Sequence, residues 1–204
     1  MIISYKKGRG NKIHLYLDDE YQITTTAEFW ADHFIADGSE IDEEEWQALV
    51  DGIHYRKALN KCFDLLSRRD YSAFELRRKL LAIVDDEVAD RAIERMKELR
   101  YLDDENYARM LLRHLVENKK MSTSFICQEM RKRGIAPNII EDVMAETEID
   151  NVASIERLIA AKYRAKLQAE NGREKVIAAL ARRGFSYGDI KQALNNFEEE
   201  NDEF

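Results

Sequence analysis

Ile13, Leu15 and Leu17 alternate with Lys12, His14 and Tyr16, and beyond the acidic stretch Asp18-Asp19-Glu20 the chain resumes as YQITT. Period-two alternation broken by turn-forming residues predicts a β-hairpin. Thr25 and Glu28 have the spacing of a capping box, which predicts a short helix ending at Gly38. Asp42 and Glu45 repeat that start signal before Trp46, Leu49 and Val50, and Gly52 either kinks this second helix or joins it to the next. From residue 53 the period becomes helical. Tyr55, Ala58, Leu59, Cys62, Phe63 and Leu66 fall on one face; Ser72 then opens a helix with Leu76 and Leu80 inward; Val88, Ala89, Ala92, Ile93, Met96 and Leu99 line a third.

This triplet recurs at an offset of fifty residues. Ala58, Ala108 and Leu158 share a column, as do Leu76, Ile126 and Val176, then Leu80, Met130 and Leu180, then Ile93, Val143 and Ala193. Two second helices close alike, RKRG at Gly134 and ARRG at Gly184. Cations suit the negative end of a helix dipole, and glycine suits the left-handed residue that follows. Pro137 fits the first turn of the next helix, and Ser186 with Asp189 fits a cap. The expected fold is all-α: three tandem three-helix repeats in an elongated, curved array, preceded by a small N-terminal module with a β-hairpin and short helices. The expected boundaries are 1–52 for that module, then 53–102, 103–150 and 151–204, the last carrying an acidic tail. A fifty-residue unit is marginal alone, so neighbouring units should pack on one another.

Composition narrows the class. With 45% apolar and 35% charged residues, one proline and eight glycines, the 204-residue chain suits soluble helical structure. No apolar run approaches the ~20 residues that span a bilayer. The stretch MIISYKKGRGNK is too polar for a secretion signal, so the cytoplasm is the expected compartment. The net charge of −8 is uneven. Residues 1–52 carry four basic and twelve acidic groups, residues 53–120 sixteen and thirteen, and residues 121–204 twelve and fifteen. Glu198, Glu199, Glu200, Asp202 and Glu203 crowd the tail. Such a chain should bind naked nucleic acid weakly, because phosphate neutralisation needs a basic surface, although a local basic face remains open.

The stretch RRDYSAFELRRKL, residues 68–80, concentrates a serine, a glutamate and many cations. Ser72 and Glu75 have capping-box spacing, which accounts for both without invoking a nucleophile. Arg68 and Arg69 suit the preceding helix end, but Arg77, Arg78 and Lys79 have no role in a core. Followed by YLDDENYARMLL, this stretch resembles the signature of the RecX family of bacterial recombination regulators: an arginine, a Ser-x-x-Glu-Leu helix start, then a hydrophobic-Asp-Asp-x-x-Tyr-Ala helix start. The resemblance runs from about Arg56 to Phe197 and includes the repeat count and the RRG closures. Ala82-Ile83-Val84 departs from it, standing where family members often close the first unit's second helix with Lys-Gly; a longer helix is expected at that corner. The resemblance implies a protein that is not an enzyme; no cofactor is expected, and the expected state is a monomer. Its implied partner is the RecA recombinase filament on single-stranded DNA, in whose helical groove it lodges to inhibit or modulate strand exchange.

Other chemistry is poorly supported. The clusters Asp18-Asp19-Glu20, Asp85-Asp86-Glu87 and Asp103-Asp104-Glu105 sit at a turn or at helix starts, where acids are favoured anyway. His14, His33, His54 and His114 lack the Glu-x-x-His spacing of a di-iron bundle. Cys62 and Cys127 read as packing residues. GRG at residues 8–10 lacks the lysine of a phosphate loop. Two further readings stay open: a helix-turn-helix DNA reader, disfavoured because the arginines sit at helix C-termini and Gln128 is the only amide inside the candidate helices, and a helical-repeat adaptor for another protein. The candidate partner-binding residues are Arg68, Arg69, Arg77, Arg78, Lys79, Arg131, Lys132, Arg133, Arg182 and Arg183. They are either a solvated face or corners that meet acidic protein or DNA phosphate.

Overall fold

The computed structural model describes residues 1–202, so Glu203 of the acidic tail lies outside the described residues. The chain divides into two compact units: Met1–Tyr71 with Glu75–Leu102, and Ser72–Phe74 with the chain from Asp103 onward.

In the first unit the hairpin forms from β2 (Lys12–Leu17) and β3 (Glu20–Thr26). Asp18 and Asp19 both take positive φ, 46° and 66°, as a two-residue turn that follows the strand twist requires. The hairpin is part of a larger, four-stranded sheet of order β3-β2-β1-β4, with β1 (Ile2–Lys7) antiparallel to both β2 and β4 (Ser39–Glu40). One sheet face buries Ile3, Ile13, Leu15 and Leu17 against Phe29, Trp30, Trp46, Leu49 and Ile53. The first cap sits one residue later than its spacing predicts. Thr26, the last residue of β3, is the cap: its Oγ1 accepts from Phe29 N, while Thr25 lies one residue inside the strand. The resulting α1 (Ala27–Asp32) ends well before Gly38.

Asp42 and Glu45 do form a reciprocal capping box, opening α2 (Glu43–Leu66). This helix runs unbroken through Gly52, where a Cβ would come 3.1 Å from the Phe29 ring. Its buried stripe below the sheet is Ala58, Cys62 and Leu65; Phe63 is 40% exposed and meets the Tyr101 ring edge-on, so the apolar face is rotated from the expected one. α3 (Ala73–Leu80) buries Leu76 and Leu80 and then stops. The expected longer helix is absent at Ala82-Ile83-Val84: Ile83 and Val84 both donate to the Leu80 carbonyl and turn the chain instead. Asp85 caps α4 (Asp86–Glu98), which packs along α2.

In the second unit, Asp103 caps α5 (Asp104–Arg113), which continues as a π-helical turn (His114–Asn118). α6 (Thr123–Lys132) and α7 (Pro137–Ala145), the latter with Pro137 in its first turn, complete one repeat. α8 (Asn151–Leu158), a second π-helical turn (Ile159–Tyr163), the short α9 (Arg164–Leu167), α10 (Gly172–Ala181) and α11 (Tyr187–Asp202) form the other. The twelve residues aligned at fifty-residue spacing are all buried. Gly134 and Gly184 take φ of 72° and 84°, and Ser186 Oγ accepts from Asp189 N as expected. Glu198, in the helical tail, pairs with Arg173.

Candidate partner-binding corners

The corner at Gly134 is closed by its own backbone. Gly134 N donates to Arg131 O at 2.9 Å and Ile135 N to Met130 O at 3.1 Å, the paired bonds of a glycine-terminated helix. The corner then receives Ser72, whose fully buried hydroxyl donates to the Arg133 carbonyl at 2.5 Å. Ala73 N donates to Asp104 Oδ1 at 2.8 Å, and a Cβ on Gly134 would stand 2.2 Å from the Phe74 ring. Fifty residues on, the arrangement returns. Ser122 N donates to the Arg183 carbonyl at 3.1 Å, Thr123 N to Asn151 Oδ1 at 3.2 Å, and a Cβ on Gly184 would stand 2.7 Å from Ser122 Oγ and Phe125 Cβ. Ser72 and Ser122 are therefore docking residues as well as helix-start residues, a role that the local sequence does not reveal.

These contacts sort the candidate cations. Arg133 is bound inward: its guanidinium donates to Tyr107 Oη at 2.6 Å and to Glu129 Oε1 at 3.1 Å. Arg183 donates to the carbonyls of Lys119 and Lys120. Lys132 lies 3.9 Å from Glu129 and is 78% exposed, a loose pair. Arg131 and Arg182 are exposed and have no ion-pair partner among the described residues.

In the first unit, Arg68 pairs with Asp64 at 2.7 Å. Arg69 stacks on the Tyr71 ring at 3.6 Å and reaches Glu75 at 3.4 Å. Arg77 is the most engaged, donating to Asp90 at 2.5 Å and Asp86 at 2.7 Å. The bonds to Asp90 and then Asp86 raise the guanidinium's affinity for its proton further, and the same bond from Arg77 holds the Asp90 carboxyl below its ordinary range. Arg109 does likewise for Glu146. Arg78 and Lys79 are exposed, and Lys79 has no ion pair among the described residues.

Two cations missed in the sequence belong with the corners. Lys119 and Lys120 lie against Arg183 through their carbonyls, so repeats two and three together place Lys119, Lys120, Arg182 and Arg183 in one neighbourhood. Their signal was the same fifty-residue offset, since Lys119 stands where Arg69 stands before Ser72. Lys120 also has a φ of 51°. A side chain in that left-handed region costs about 1–2 kcal/mol relative to the ordinary helical region, and glycine avoids the cost. Cys62 is fully buried, and burial pushes its thiol up to about 11, so it stays protonated at neutral pH. Among the described residues no group of three or more His, Cys, Asp or Glu is placed to hold a metal, and no helix is long and apolar enough to cross a membrane.

Comparison with known proteins places this architecture. Residues 58–96 match the family model described as "RecX, first three-helix domain", residues 103–144 the second such domain, and residues 148–194 the third. The regulatory protein RecX of Caldanaerobacter subterraneus is 30% identical over 93% of this chain and 95% of its own length. That of Clostridioides difficile is 28% identical over 97% of this chain and 96% of its own. A crystal structure of a regulatory protein RecX superposes with a TM-score of 0.64 at 22% identity, covering 95% of this chain and 98% of that one, a likeness of fold. The chain belongs to the RecX family of regulatory proteins.

Proposed function

We propose that this protein binds the RecA-type recombinase filament on single-stranded DNA and inhibits its ATPase, strand exchange, and recombination and SOS activity. On this reading it acts as a cytoplasmic monomer and catalyses no reaction of its own. The observation that carries the proposal is the unbroken succession of three RecX domains over residues 58–194, since the partner implied by that family is the recombinase filament. The corner cations supply a physical means. Arg131, Arg182 and the neighbouring Lys119 and Lys120 have charge to offer a partner, whereas Arg77 and Arg133 already spend theirs on internal acids and a phenol. A chain of net charge −8 should engage DNA weakly outside the filament, which suits a regulator of the assembled complex. Groove-reading helices present their N-terminal residues to bases, while α6 carries its cations at the opposite end, and in α10 the N-terminal Arg173 and Lys175 are engaged by Glu198 and the Glu170 carbonyl, so sequence-specific DNA reading is not favoured.

The test is RecA ATP hydrolysis on single-stranded DNA with this protein titrated in. Hydrolysis should fall with added protein, with co-sedimentation on the filament. Unchanged hydrolysis together with no filament binding would end the proposal.

A further inference from the structure

Two joints within the second unit are made of the same parts. The start of a repeat's second helix supplies a buried serine, Ser72 or Ser122. The following repeat receives it on a corner ended by a glycine of positive φ, Gly134 or Gly184, through the carbonyl of Arg133 or Arg183. The first helix of that receiving repeat adds a side-chain acceptor from its opening residue. Asp104 Oδ1 takes Ala73 N, and Asn151 Oδ1 takes Thr123 N. Asn151 Nδ2 also donates to Thr123 Oγ1 at 3.1 Å, so the second joint is fastened from both sides.

Repeat two takes part in both joints: it receives Ser72 and gives Ser122. Repeat one gives but cannot receive. Val84 stands fifty residues before Gly134 and does not take positive φ, and its corner follows another path, with the Ile83 and Val84 amides both on the Leu80 carbonyl. The place of Asp104 falls at His54, inside the unbroken α2, because that helix begins at Glu43 to carry Trp46, Leu49 and Ile53 under the sheet. An opening residue projects past the end of its helix, where an incoming segment lies; a residue in mid-helix does not. Repeat three receives but cannot give. Gly172 stands fifty residues after Ser122 and has no hydroxyl to bury. Its backbone is already enclosed: Gly172 N donates to Ala169 O at 2.8 Å, and a Cβ there would overlap Lys166 O. The turn after α9 thus covers the start that a docking segment would present.

We propose that repeat two is the propagating unit of this fold and that repeats one and three are its chemical end stops. Complementary halves of one joint at opposite ends of a chain make a heterologous contact, which grows into filaments when it does not close. Here the giving half is missing from the last repeat and the receiving half from the first, so copies do not join head to tail. Repeat arrays need atypical ends for this reason. The same chemistry fixes the length of the array, since only a repeat with both halves can be added within it.

The experiment lengthens the full chain. A second copy of residues 103–149 is inserted after Ile149, so that the copy's Asp103 follows Ile149 as Asp150, the cap of α8, does in the native chain. This protein should stay monomeric in sedimentation velocity and keep its helical circular-dichroism signal per residue. It should unfold in as many transitions as the wild type, at a midpoint no lower, with an m-value raised by the added buried surface. A control chain carries a second copy of residues 150–199 at the same place, a repeat that receives but does not give. The control should add a transition or fail to fold. An extra transition or a failure to fold in the first lengthened chain would overturn the proposal. So would a control that unfolds like the wild type, or wild-type oligomers that grow with concentration.

Discussion

The corners at Gly134 and Gly184 both set a basic pair before the glycine, yet their arginines work differently. Arg133 turns into its own repeat, onto Tyr107 and Glu129. Arg183 instead reaches the carbonyls of Lys119 and Lys120, which end the π-helical turn of the preceding repeat. In both corners the arginine beside the glycine is committed to structure and its carbonyl receives the buried serine segment, while an exposed cation lies one or two residues earlier. A basic pair before a helix-ending glycine is therefore two residues with two roles. The first unit's corner at Ala82-Ile83-Val84 sharpens the contrast, for it has no glycine, keeps its cations Arg77, Arg78 and Lys79 inside the last turn of α3, and closes through two amides on the Leu80 carbonyl.

The largest effect should come from the glycines. Gly134→Ala places a methyl 2.2 Å from the Phe74 ring at a φ of 72°, combining left-handed strain with overlap. A loss of about 2–4 kcal/mol is expected from denaturant unfolding. At Gly184 the nearest atoms are 2.7 Å away, so alanine there should cost less. Equal, negligible losses would show that the serine segments do not dock on these corners.

A smaller loss is expected for Arg133→Ala. Its bonds to Tyr107 and Glu129 are partly solvated, with the side chain 29% exposed, so about 1 kcal/mol is expected, and Arg131→Ala should cost nothing measurable by the same assay. A reversal of that order would dissolve the distinction between committed and available cations.

Much of this was legible in the chain. The fifty-residue columns all fall in the core, because a helix that must bury one stripe cannot hide its period. The capping box at Asp42 and Glu45, the glycine ends and Pro137 are local signals with local causes, and they read true. Strands β1 and β4 were missed because β4 is two residues long and has meaning only beside Ile2 and Ile3. The first cap slipped from Thr25 to Thr26 because pairing with β2 extends the strand through Thr26 and the helix starts only at Ala27, a tertiary demand that capping spacing cannot register. The candidate cations suffered the same way. Arg77 reads as surplus until Asp86 and Asp90 are seen beside it, and Lys119 and Lys120 read as ordinary until Arg183 reaches their carbonyls. Charge reversal at Arg77 would set two carboxylates against a third, so a fall in melting temperature there would say nothing about a partner.

The available corner cations are best tested where structure and binding should move apart. Lys120→Gly relieves a left-handed backbone and Arg182→Ala removes an exposed charge, so together they should leave stability unchanged or raise it by up to about 1 kcal/mol. The decisive measurement is the affinity of that double variant for the recombinase filament on single-stranded DNA, taken across a salt series. Weaker binding with a shallower salt dependence, in a protein at least as stable as the wild type, is the expected result; wild-type affinity and slope would contradict the assignment of these corners to the partner.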